Sequence, residues 1–368
     1  MKKAWLLTVI LFWLTACKKT DAPADTRTFY MGTTTWPADF TNAELDTAYA
    51  FVNNHCDIIS YHFDDGIPYD EALNNKPFPA TFVQDLQVMI NKTSPGKKVL
   101  LSVAALDHSR IAKAAYYSKT VVADSIRNYW LALPFSHSNM VTAYVNYISR
   151  LIELTHPDFV NYGVESNSAL FNGAQFQQYK SFLSAVYAQL KSRYPALPFF
   201  TSFMVDETNE GLAYAAQLLP YTDYIGLSAY PYVTVSSSAS GNTDPHNFPA
   251  NYFERFRALD ANKPLAFAET GYIAQNLVVP SYSLNKLGTP AWQEAYLQQV
   301  LTFCQQQKAK LFIWFCSKDY DAGNNTLRSL GLFQEFFLLW QDTGLKDENG
   351  ALRPAYYTWL NWQAKQKN

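Results

Sequence analysis

Phe159-Val160-Asn161-Tyr162-Gly163-Val164-Glu165 is a mostly apolar run that stops on a carboxylate. Apolar residues without strict alternation predict a strand buried on both faces. The same kind of run recurs upstream, at residues 29–34, 58–62 and 98–104. Downstream it recurs at 198–204, 224–228, 264–268 and 310–315. Between these runs, apolar residues at helical spacing predict helices over 41–54, 139–154, 174–194, 211–218, 248–259 and 290–308, with a closing helix over 355–364. So regular an alternation predicts βαβ units and a parallel sheet. Eight such runs predict an α/β fold, a (β/α)8 TIM barrel with enlarged loops. The alternative is a doubly wound open sheet, whose nucleotide-binding form needs a glycine-rich phosphate loop. Gly32, Gly163 and Gly173 are isolated and form no such loop.

Composition narrows the function classes. Of the 368 residues, 48% are hydrophobic and 16% charged, which excludes a disordered chain. The net charge of -2, with no block of Lys and Arg, excludes a nucleic-acid scaffold. Aromatic residues reach 16%, which suits a neutral, polar, ring-shaped partner such as a sugar.

The amino terminus reads as an address. Lys2 and Lys3 precede an apolar run from Ala4 to Leu14, too short for a stable membrane span. Leu14-Thr15-Ala16-Cys17 resembles the bacterial lipoprotein box, which implies cleavage before Cys17 and lipidation of its thiol. The expected organisation is a signal peptide over 1–16, a polar tether over 17–28 and one barrel over 29–368. It implies a lipid anchor in the cell envelope, on the periplasmic or the cell-surface face. Cys56, Cys304 and Cys316 each lie in or beside an apolar run, where a buried free thiol is the commoner state. Cys304 and Cys316 flank one segment and are close enough in sequence to be considered as a pair. No metal-ligand spacing occurs, and no cofactor motif.

In a barrel, residues at the carboxyl ends of the strands reach the catalytic mouth. Trp36, His62, Asp64, Asp65, Asp107, His108, Asn167, Asp206, Glu207, Tyr230 and Trp314 all fall near such ends. Two residues stand apart. Glu165 ends strand four and Glu269 ends strand seven, in Pro264-Leu265-Ala266-Phe267-Ala268-Glu269. A carboxylate that directly continues a buried strand is costly unless it is paired, hydrogen-bonded or functional. Glycoside hydrolysis uses two carboxyls, one holding a proton for the leaving oxygen and one ionised. A separation of about 5–5.5 Å gives retention at the anomeric carbon, and about 6.5–9.5 Å gives inversion.

Three segments sharpen this reading. Gly163-Val164-Glu165-Ser166-Asn167, Ile225-Gly226-Leu227-Ser228-Ala229-Tyr230-Pro231-Tyr232 and Ala268-Glu269-Thr270-Gly271-Tyr272 fall at strands four, six and seven. Together they resemble the clan-A glycoside hydrolases, and within them the endo-β-1,4-galactanase family, with its G-N-E-x-N, G-L-S-Y-Y-P and E-T-G-Y segments. The resemblance implies a retaining hydrolase of β-linked poly- or oligosaccharide, with Glu165 as acid and base, Glu269 as nucleophile, and a carboxyl gap near 5 Å. It implies that Tyr230 donates a hydrogen bond to Glu269. Trp314 ends the apolar run Leu311-Phe312-Ile313, and its aromatic surface makes it the expected sugar platform. His62, Asn167 and Trp36 complete the expected substrate-binding set. A monomer without cofactor or metal is expected. One departure matters: the clan places Asn before the acid, where it binds the sugar 2-hydroxyl, and this chain has Val164. Val cannot make that hydrogen bond, so the alternative reading is a catalytically impaired barrel that binds polysaccharide.

Overall fold

A computed structural model describes residues 25–117, 119, 121–235 and 241–368. The signal segment, Cys17 and most of the tether lie outside the described residues. Eight parallel strands close a barrel: Tyr30–Thr34, Ile58–Phe63, Lys98–Val103, Phe159–Gly163, Phe199–Met204, Ile225–Ala229, Leu265–Thr270 and Leu311–Trp314. They stand in chain order around the barrel, with strand eight hydrogen-bonded to strand one. The fold is the expected (β/α)8 barrel, and every expected strand is present within two residues of its bounds.

Two apolar layers explain why the strands read as unbroken hydrophobic runs. The lumen is filled by strand residues only: Ile58, Leu100, Phe159, Phe200, Ala266, Ala268, Leu311 and Ile313. The alternate strand residues, Phe267, Phe312 and Trp314 among them, join the larger core beneath the helices. Both faces are therefore mostly apolar, and the few polar side chains inside the strands are buried, as with Asn161, which donates to Ser202 Oγ at 3.1 Å.

The helices start where local chemistry allows. Asn172 caps Gly173–Arg193 reciprocally with Gln175, and Thr289 accepts from the Trp292 N–H at the start of Pro290–Gln306. One expected helix is mostly absent, since within 248–259 only Glu254–Arg257 is α-helical. Among the described residues five α-helices are additional: Tyr69–Leu73, Ala80–Lys92, Asp124–Ala132, Pro231–Thr234 and Asp321–Ser329. The end of the tether is docked rather than free. Thr26–Arg27 pairs in parallel with Gln366–Lys367, and Arg27 is buried against Asp57. All three described cysteines are free and buried, so Cys304 and Cys316 do not pair.

Strands four and seven break the regular register. Asn161 and Gly163 stand opposite Phe200 and Thr201, so strand four has one extra residue. Phe267 and Glu269 stand opposite Leu227 and Ser228, and Phe267 and Thr270 opposite Phe312 and Trp314, so strand seven has one extra residue against both neighbours. Such a bulge re-aims the side chains that follow it. Ala268 faces the lumen, so strict alternation would turn Glu269 out toward the helices. The extra residue turns it into the mouth.

Candidate active site

The two glutamates belong to one network of charges at the carboxyl end of the barrel. Glu165 Oε2 accepts from Arg110 Nε at 2.7 Å, and Arg110 Nη2 donates to Asp64 Oδ2 at 2.8 Å. His62 Nε2 lies 3.8 Å from Asp64 Oδ2, and its Nδ1 lies 3.7 Å from Glu269 Oε2. Tyr230 donates its hydroxyl to Glu269 Oε1. The remaining oxygen of Glu165 accepts from Ser228 Oγ at 2.7 Å. Side-chain exposure is 13% for Glu165 and 20% for Glu269, so both are sheltered yet reachable.

Backbone contacts hold these groups in place. The Glu165 N–H donates to Ser202 Oγ on strand five at 3.0 Å. Gly271, just after strand seven, has to be glycine: a Cβ there would lie 2.5 Å from the Phe315 carbonyl oxygen and 3.2 Å from the Tyr230 ring. Its absence lets Tyr230 and the end of strand eight close in on Glu269.

The electrostatics follow from burial and pairing. Burial pushes the Glu269 carboxyl above the usual Glu range and the charge of Glu165 adds to this, while His62, Tyr230 and Arg110 pull it down. Burial alone would lower His62, but the Asp64 hydrogen bond and the charges of Glu269 and Asp64 outweigh it, so His62 is raised. Burial would likewise raise Asp64, but Arg110 and His62 hold it well below the usual carboxylate range.

Of the residues singled out in the sequence, Glu165, Glu269, Tyr230 and His62 are brought together. Trp36 reaches the rim, where its ring lies 6.1 Å from that of Phe315 and its indole N–H is buried without a partner. Two others are not brought into the mouth. Trp314 is fully buried among Tyr296 and Phe312 beneath the helices, and its indole N–H donates to the Thr343 carbonyl. It has no surface to offer a sugar, because its position on strand eight points outward. Asn167 is also fully buried; its amide donates to the carbonyls of Met204 and Gly211 and accepts from the Met204 N–H. Those bonds fasten the end of strand five to the helix Asn209–Leu218, leaving its side chain no route to substrate.

Other aromatic rings stand near Trp36 and Tyr230. Half-buried Phe315, one position after Trp314, lies between Trp36 and Trp340, and the Trp340 ring is 5.8 Å from that of Tyr230. An aromatic arc thus runs from Trp36 to the residue that holds Glu269. Arg110, Ser228 and Trp340 were not singled out in the sequence, and Asp64 reads there as one of a pair of loop acids. Arg110 lies seven residues past the end of strand three in a loop that also carries Lys113 and Lys119, and no sequence pattern marks it; Ser228 is visible only inside its motif.

Among the described residues one group of three carboxylates, Asp319, Asp321 and Asp342, brings oxygens within 4.8 Å of one another. Both oxygens of Asp319 already accept from Arg353, at 2.8 and 2.5 Å. That bidentate pair suits a structural link better than a cation site.

Neither a protein-family model nor a curated protein matches this chain. Solved structures do. The exo-β-1,4-mannosidase Op5Man5 from Opitutaceae bacterium strain TAV5 is similar with a TM-score of 0.60 and 16% identity, over 93% of this chain and 60% of that one. The GH53 catalytic domain of Ignisphaera aggregans gives 0.57 and 16%, over 95% of this chain and 98% of that one. Xylanase 10B from Thermotoga maritima gives 0.57 and 11%, over 92% and 95%. At these identities the likeness establishes the barrel fold.

Proposed function

We propose that the barrel mouth hydrolyses β-linked oligo- or polysaccharides with retention, Glu269 acting as nucleophile and Glu165 as acid and base. The observation that supports this most is the network linking the two carboxylates, Glu165–Arg110–Asp64–His62–Glu269, at one end of the barrel. Glu269 attacks the anomeric carbon while Glu165 protonates the departing oxygen. Glu165 then takes a proton from water, which displaces Glu269. Tyr230 and His62 stabilise the ionised nucleophile, and the aromatic arc of Trp36, Phe315 and Trp340 offers flat apolar surface to sugar C–H faces.

The mannosidase and xylanase names of two similar barrels support the reaction class and single out no sugar for this chain. The amino-terminal sequence supports a lipoprotein anchored through Cys17 in the cell envelope. A second reading, sugar binding without turnover, is favoured by Val164 and by Arg110 occupying Glu165. The two are separated by incubating the purified protein with aryl β-glycosides and a panel of polysaccharides. Release of reducing sugar that disappears in Glu165→Gln and Glu269→Gln supports hydrolysis. Binding without release across the panel supports the second reading.

A further inference from the structure

Among the described residues, six other than glycine have positive φ: Asn75, Arg110, His156, Glu165, Ser283 and Lys308. Four of these stand at or just past helix ends, after Tyr69–Leu73, Ser138–Thr155, Pro280–Tyr282 and Pro290–Gln306. A left-handed residue is an ordinary way for a helix to stop. Arg110, at +59°, and Glu165, at +50°, end no helix, and they are the two partners of the 2.7 Å hydrogen bond in the mouth. Non-glycine residues in this region cost free energy that the surroundings must offset, and they gather at functional sites.

Arg110 is further fixed at every side. Its Nη atoms donate to both oxygens of Asp64, at 3.2 and 2.8 Å, and to the Asp107 carbonyl at 3.2 Å. The Arg110 N–H closes a turn onto the same carbonyl at 2.9 Å. Its side chain is 13% exposed. One face of Glu165 is therefore occupied by a cation that has little freedom to move, and the other by the Ser228 hydroxyl.

This arrangement treats the two halves of the proposed reaction differently. In the first half Glu165 must deliver a proton, and Arg110 competes with that proton for Oε2. In the second half Glu165 must accept a proton from water, and a carboxylate held by Arg110 is ready for it.

We propose that Arg110 is a positioning residue that holds Glu165 ready as base rather than acid, so that departure of the leaving group limits turnover. This rests on the glycosidase reading above. The glycosides turned over best are then those of acidic oxygens, phenols above all. There Glu269 forms the bond to the anomeric carbon, the bond to the phenolic oxygen breaks, and the phenolate leaves with the electron pair and is protonated by solvent. Water then attacks the anomeric carbon, Glu165 takes its proton, and Glu269 leaves as carboxylate. The proton on Glu165 passes to solvent. A sugar–sugar bond needs the proton of Glu165 in the first half and is cleaved more slowly.

The test is kcat/KM for aryl β-glycosides of one sugar, with phenols of graded acidity, and for the matching disaccharide. It uses the full chain and its Arg110→Gln, Arg110→Lys and Asp64→Asn variants. In the parent protein the rate should fall steeply from 4-nitrophenyl glycoside to disaccharide. Arg110→Gln should raise the disaccharide-to-nitrophenyl ratio by about tenfold, and Arg110→Lys should restore most of the parent ratio. Asp64→Asn, which loosens Arg110 without removing it, should move the ratio the same way by less, and it decides the matter if Arg110→Gln does not fold. An unchanged ratio in a folded variant of an active, Glu269-dependent protein overturns this proposal alone. A parent protein inert on the whole series overturns the glycosidase reading and this proposal with it.

Discussion

The barrel holds a fully buried arginine at its floor and a largely sheltered one in its mouth, and the two are set in different company. At the floor, Arg27 meets one carboxylate, Asp57, at 2.5 Å. It also donates to the carbonyls of Phe29 and Gln363, while Asp57 accepts from the Met31 N–H. One charge answers one charge, and the contacts tie the chain's two ends to strands one and two. At the mouth, Arg110 is shared between Asp64 and Glu165, and His62 lies between Asp64 and a third carboxylate, Glu269. Three acids face one arginine and two histidines, since the exposed His108 also sets its Nδ1 3.7 Å from Asp64 Oδ2. The floor is balanced in permanent charge, and the mouth sets three acids against the single permanent cation of Arg110. A site that must stabilise a developing positive charge on a sugar ring gains from that imbalance.

The comparison is broken most directly at Glu269. Glu269→Gln should lower the release of reducing sugar by about 10³-fold or more without unfolding the protein. Because the folded protein raises this carboxyl, stability falls as pH rises from the ordinary Glu range through the raised value. The Gln variant removes that loss, so by thermal melting at neutral pH it should be at least as stable as the parent. A variant that melts much lower would place Glu269 among the structural carboxylates.

At the floor the pattern reverses. Arg27→Met leaves Asp57 without its partner and should cost about 2–3 kcal/mol by urea denaturation, below the value for a fully buried pair because Asp57 is 22% exposed. The kinetics of the folded fraction should not change. A change in KM would mean that the floor and the mouth communicate.

Asn167 sharpens the comparison from another side, since it lies near the mouth but behaves like the floor. Asn167→Ala leaves buried carbonyls and an N–H without partners and should cost about 1–3 kcal/mol in denaturation, with KM unchanged. A raised KM at unchanged stability would return Asn167 to substrate binding.

The smallest expected effect is at Tyr230. Activity needs Glu269 ionised, so kcat/KM should fall as pH drops through a value above the ordinary Glu range. Tyr230→Phe removes a donor that holds this value down, and should move the acid limb upward by about half to one pH unit. A limb that moves downward would show that Tyr230 supports the protonated form instead.

Much of this was legible in the amino-acid order. Eight buried strands, the helices between them, and the glutamates ending strands four and seven follow from apolar runs and from where those runs stop. His62 follows from its position at a strand end, and Tyr230 from its position together with the motif resemblance. Trp314 and Asn167 mislead for a common reason: each has the right chemistry near the right strand end, but a side chain turned into the protein. Arg110 carries no pattern in sequence, because a cation in a loop looks the same whether it faces water or two carboxylates.

Apolar periodicity records that a residue is buried. When both faces of a strand are buried, it does not record on which side. The residue order therefore set the eight buried strands and their alternation with helices, while closure of the barrel was decided by strand eight pairing with strand one. Side-chain direction was settled by the assembled sheet. The extra residues in strands four and seven exist only as a register against neighbouring strands, and in strand seven it is this shift that turns Glu269 toward the mouth. The same dependence on tertiary contacts put Phe315 at the rim in place of Trp314, and brought Arg110 across from another loop to meet Glu165.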